Sequence, residues 1–114
     1  NTYRNANIYY SYLGNIYNSK DELIVNKFFI ENKIEYKKDL PYREIVSDER
    51  CGTKRTDWVL SDGSVVEYWG YPKKEDYYIG VAIKVKICED NDIKLIQLVR
   101  KDLTKLHEIF SQYL

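Results

Sequence analysis

Two β-rich runs, Thr56-Asp57-Trp58-Val59-Leu60 and Ser64-Val65-Val66-Glu67-Tyr68-Trp69, flank Ser61-Asp62-Gly63 and constrain the chain more than any other feature. A three-residue loop with Gly at its left-handed position predicts an antiparallel hairpin. Both runs are apolar on both faces, so the hairpin belongs in the middle of a covered sheet and not at a solvated edge. Closing the loop with Leu60 opposite Ser64 sets a register in which Asp57 faces Glu67. Side chains opposed in this way have Cβ atoms about 4.5–5.5 Å apart, and like charges so placed repel. Val59, Val65 and Trp69 share the strand faces of the two acids. Carboxylates held together among apolar groups either share a proton, with a strongly raised pKa, or bind a cation, because unpaired buried charge is very costly. A hard, oxygen-seeking ion such as Mg²⁺, held by one or two carboxylates plus phosphate oxygens and water, suits the pair. A bulge that slips the register by one residue would instead send one acid to solvent.

At 114 residues the chain is expected to form one hydrophobic core. Its 44% apolar and 15% aromatic content against 32% charged residues excludes a wholly disordered or collagen-like chain. No apolar run approaches the roughly 20 residues of a membrane helix, and Asn1-Thr2-Tyr3-Arg4 lacks a signal pattern, so the expectation is an intracellular, cytoplasmic protein without a membrane partner. The 18 basic and 18 acidic side chains cancel, so an electrostatic case for nucleic acid must rest on local clusters. Cys51, Cys88 and the single histidine, His107, are too few for a structural zinc site, and both thiols are read as reduced. The absence of methionine suggests a piece of a longer polypeptide with companion domains.

Residues 1–18, rich in Asn and Tyr without a clean period, are read as an arm or linker, and residues 19–114 as the domain. Ser19-Lys20-Asp21-Glu22 matches a capping box, and Leu23, Ile24, Phe28 and Phe29 continue a helix to about Asn32. Ile34-Glu35-Tyr36 predicts a short strand, and residues 46–54 a loop. Between Asp76 and Cys88 the alternation of Val81, Ile83, Val85 and Ile87 favours a strand. Ile93–Val99 predicts another strand, and Leu103, Leu106, Ile109, Phe110 and Tyr113 one face of a closing helix over 101–113.

These residues resemble a known family. The capped helix with Glu22, the run Arg55-Thr56-Asp57-Trp58-Val59-Leu60, Glu67-Tyr68-Trp69-Gly70, a lysine several residues before Cys88, and Ile93-Lys94-Leu95-Ile96 with Asp102-Leu103 together look like the PD-(D/E)xK nuclease superfamily, in its very-short-patch repair and homing-endonuclease-like branch. The likeness spans about residues 19–110. It implies a restriction-endonuclease-like α/β domain of three layers, with a mixed central β-sheet flanked by helices in the order α-β-β-β-α-β-α. It further implies Asp57 and Glu67 as metal ligands with the main-chain carbonyl of Tyr68, and Glu22 approaching the metal from the first helix. The family's usual lysine position is held here by Trp69, and Thr56 replaces the motif's proline. Members of this branch move the lysine to the following helix, which implies Lys84, with Lys86 as the fallback, and turns 76–90 into a helix.

The implied activity is that of a Mg²⁺-dependent DNA endonuclease, with Mn²⁺ as a substitute, acting beside other domains of a longer chain and compatible with a homodimer. The alternative is a catalytically inactive restriction-endonuclease-like module for DNA binding or interaction. Each residue also has a plainer reading: Glu22 as the third-position partner of the cap, Lys84 as a solvated helix lysine, and Trp58 and Trp69 as core. Tyr68, Trp69 and Tyr71 could instead stack on a base. The pairs Lys37-Lys38, Lys54-Arg55, Lys73-Lys74 and Arg100-Lys101 are phosphate contacts or solvated surface, and His107 is packing or surface.

Overall fold

The computed structural model describes residues 10–12, 15–17, 19–70 and 75–114. The rest of the arm, Tyr71 and the pair Lys73-Lys74 lie outside the described residues. The chain is α/β and divides into two units, one of Asn1–Ile34 with Arg100–Leu114 and one of Glu35–Val99. No helix among the described residues is long and apolar enough to cross a membrane.

In the first unit, β1 (Tyr10–Tyr12) and β2 (Asn15–Tyr17) form a two-stranded antiparallel ladder inside the stretch read from sequence as an arm. Helix α1 (Lys20–Glu31) starts where the capping signal puts it: Ser19 Oγ accepts the N–H of Glu22 at 3.1 Å. It ends in a Schellman motif with Lys33 in the left-handed region at φ 57°, where the N–H groups of Lys33 and Ile34 donate to the carbonyls of Ile30 and Phe29. Ile34 is therefore committed to closing the helix, and the expected strand starts two residues later, as β3 (Tyr36–Lys38).

The single closing helix expected over 101–113 is not formed. The segment breaks into a 3₁₀ turn (Arg100–Thr104), one short helix, α3 (Leu106–Ile109), and a second 3₁₀ turn (Ser111–Tyr113). The Lys105 N–H reaches back only to Asp102, and the Thr104 hydroxyl donates to the Lys101 carbonyl, so local bonds tighten the chain at a residue of low helix propensity. Leu106 and Phe110 are still buried, and Phe110 meets Phe29 edge-on with ring centroids 5.1 Å apart. His107 is exposed at the surface, with its ring edge-on to Phe28 at 5.0 Å.

In the second unit, β3, β4 (Trp58–Leu60), β5 (Val65–Tyr68) and β6 (Leu95–Leu98) form one mixed sheet in that order, with β5 and β6 parallel and the other neighbours antiparallel. The hairpin pairs Trp58 with Val66 and Val59 with Val65, which is the register the loop predicts. Gly63, at φ 88°, makes that loop possible, and the Leu60 N–H donates to the Ser64 carbonyl at 2.8 Å. The two hairpin strands are the central ones, and every residue of β5 is buried, as their two-sided apolar sequence requires.

Between β5 and β6 the chain forms α2 (Glu75–Asp90), against the strand-like alternation of its residues and in agreement with the family likeness. Parallel neighbours need a crossover, usually helical, and the modest propensity cost of β-branched residues does not outweigh it. Ile87 and Cys88 join Tyr42, Cys51 and Val65 in a buried cluster, with Ile83, Val59 and Leu95 packed around it. This cluster fixes which face of α2 is turned to the sheet, and Lys84 shares that face, one turn before Cys88.

Candidate active site

The site is built from residues 35–99 and begins with how Asp57 is fixed. Thr56 is buried, and its hydroxyl both accepts the Leu40 N–H at 3.1 Å and donates to the Leu40 carbonyl at 3.0 Å. Thr56 therefore ties the start of β4 to the segment after β3. The next residue, Asp57, lies one step beyond the Trp58–Val66 pair, level with Glu67. Its Oδ2 accepts the main-chain N–H of Tyr68 at 2.7 Å, which holds the carboxylate against β5.

Glu67 is only 1% exposed. Burial and the nearby Asp57 charge push its pKa from 4.5 up to about 8, while Lys84 and the hydrogen bond from Tyr42 pull it back. The repulsion expected of acids opposed across the hairpin is thus present, together with two groups that offset it. Tyr42, fully buried, donates its hydroxyl to Glu67 Oε2 at 2.5 Å. Lys84 Nζ stands 3.2 Å from Oε2 and 3.4 Å from Oε1, and donates to the Arg55 carbonyl at 2.8 Å. The same ammonium lies 5.6 Å from the Tyr42 ring and 5.7 Å from the Trp69 ring. Burial raises the Tyr42 phenol above its usual range and the Cys88 thiol to about 11.

Of the two lysines weighed from sequence, α2 brings Lys84 to Glu67 and turns Lys86 outward. Lys86 is exposed and pairs along its own helix with Glu89 at 3.9 Å and Asp90 at 3.4 Å. Tyr68 is buried in β5. Trp58 is fully buried, but Trp69 is only partly so: its indole N–H donates to Gln97 Oε1 at 3.0 Å, which corrects its reading as core. Glu22 is buried in α1, in the other unit, where its N–H completes the Ser19 cap. Arg55 is engaged by Asp39 at 3.0 Å, and Lys38 lies 4.6 Å over the Trp58 ring.

Tyr42 is the residue that sequence reasoning missed. It belongs to a 3₁₀ turn (Tyr42–Glu44) after Pro41 and is one of 12 tyrosines, with no spacing relation to Glu67 that marks it.

Among the described residues no group of three or more His, Cys, Asp and Glu side chains could hold a metal ion. The donors on offer are two carboxylates and main-chain carbonyl oxygen. That hard-oxygen set fits Mg²⁺, which keeps several waters and is bound through one or two carboxylates with substrate phosphate. The burial and the neighbouring Asp57 charge that together raise the Glu67 pKa are what a cation bound between the two acids would offset. Chemically, the arrangement offers two acids for one cation and an ammonium within reach of the same point. No family model matches this chain, and no curated protein or solved structure matches it either.

Proposed function

We propose that the chain is a Mg²⁺-dependent DNA endonuclease domain that hydrolyses phosphodiester bonds, with a restriction-endonuclease-like arrangement of its sheet and helices. The observation that carries this reading is the convergence of Lys84, from a helix that local pattern alone would not predict, on the buried Glu67 beside Asp57. Structural ion pairs are common, but a desolvated acid with a like-charged neighbour and one cationic partner is the pattern of a functional site.

In this reading Asp57 and Glu67, with the Tyr68 carbonyl, hold the cation. Its contribution when bound is to polarise the scissile phosphate and to make water more acidic. Lys84, restrained by the Arg55 carbonyl, donates to the negative charge that builds on the phosphate as the water oxygen attacks and the leaving oxygen departs. Glu22 enters only through the family likeness, as a residue approaching the cation.

A second reading, a catalytically inactive module of the same fold, is favoured by one observation. Glu67 is sealed from solvent, with its carboxylate already engaged by Tyr42 and Lys84. Cleavage of supercoiled plasmid in Mg²⁺ separates the two. The nuclease reading predicts nicking by the wild-type chain, at least about 100-fold loss in Asp57→Ala and Lys84→Met, and retention in Lys86→Met. Identical traces for wild type and Asp57→Ala would remove it.

A further inference from the structure

The two acids of the site are fastened in the same way. Glu67 Oε2 accepts the Tyr42 hydroxyl at 2.5 Å, and Asp57 Oδ2 accepts the Tyr68 N–H at 2.7 Å. Both donors are neutral and both are rigidly held. Tyr68 donates from the backbone of a central strand, and the fully buried Tyr42 ring is packed with Cys51, Val65, Ile87 and Cys88. The remaining oxygens are less engaged: Glu67 Oε1 has only the 3.4 Å approach of Lys84, and Asp57 Oδ1 accepts no hydrogen bond from the described residues.

We propose that Tyr42 is a positioning residue for the divalent cation. Its phenol fixes the rotation of the Glu67 carboxylate and so reserves Oε1, with Asp57 Oδ1, for the metal. A short hydrogen bond from a phenol held by packing is enough to fix one rotation of a buried carboxyl group. A neutral donor has a further advantage over a second lysine, since it orders the acid without repelling an incoming dication. The proposal rests on the nuclease reading and adds to it a residue that does not itself touch the reacting atoms.

Calorimetric titration with Mn²⁺ tests it on the whole chain in three forms: wild type, Tyr42→Phe, and a form with para-aminophenylalanine at position 42, whose aniline N–H restores a weaker donor on the same ring. Mn²⁺ affinity is expected to fall about tenfold in Tyr42→Phe and by an intermediate factor in the aniline form. In plasmid cleavage the half-saturating Mn²⁺ concentration rises in the same order while kcat at saturating metal recovers, a split that a packing defect does not produce. An unchanged Mn²⁺ affinity in a folded Tyr42→Phe overturns the proposal and leaves the nuclease reading standing. If thermal unfolding in EDTA shows that Tyr42→Phe does not fold, the aniline form decides: weaker binding supports the proposal, and unchanged binding overturns it. A wild-type chain that neither binds Mn²⁺ nor cleaves removes both.

Discussion

Glu67 concentrates the physics of this protein in one side chain. Its folded pKa of about 8 lies above the usual 4.5, so between those values the native chain keeps a proton that the unfolded chain has released. Stability must therefore fall as pH rises from about 4.5 through about 8 and then level off, with a total effect on the order of a few kcal/mol. Glu67→Gln removes that slope. Urea unfolding in EDTA across this range should show wild type losing stability relative to the variant as pH rises; parallel curves would mean that Glu67 is not held against its charge. The acid pair was legible in sequence because the hairpin register follows from the loop. Tyr42, which completes the environment of Glu67, was not, since its approach depends on a turn distant in the chain and one tyrosine resembles another in a linear reading.

Among the elements, β4 positions the site, and its starting point is set by three hydrogen bonds between Thr56 and Leu40, two through the Thr56 hydroxyl and one from its main-chain N–H. Thr56→Val keeps the shape, removes both side-chain bonds and leaves the Leu40 N–H without that acceptor, while the Leu40 carbonyl keeps the Thr56 main-chain N–H, which should cost about 1–2 kcal/mol in urea unfolding. No loss would show that packing and main-chain bonds place β4 without the Thr56 hydroxyl. The capped start of α1 and the hairpin could be read from sequence because local chemistry decides them: a serine hydroxyl on an orphan N–H, and a glycine at positive φ. Helix α2 could not, because its β-branched alternation is a strand signal that only the need for a crossover overrides. The closing segment failed in the opposite sense. Its apolar spacing was helical, yet Leu106 and Phe110 are buried while the chain around them tightens into 3₁₀ turns.

For the molecule as a whole, the central hairpin followed from its two-sided apolar strands, whereas the α/β class with a mixed sheet was expected through the family likeness that turned residues 76–90 into a helix. Neither charge nor composition pointed to a partner, because 18 positive and 18 negative side chains leave no net field to steer one. The proposed activity therefore stands or falls at the acid pair. Crystals grown with Mn²⁺ address it most directly through anomalous scattering. The account predicts a peak about 2.0–2.3 Å from one oxygen each of Asp57 and Glu67, with Glu67 still bonded to Tyr42. Unoccupied carboxylates at saturating Mn²⁺, with Glu67 still closed on Lys84, would contradict it.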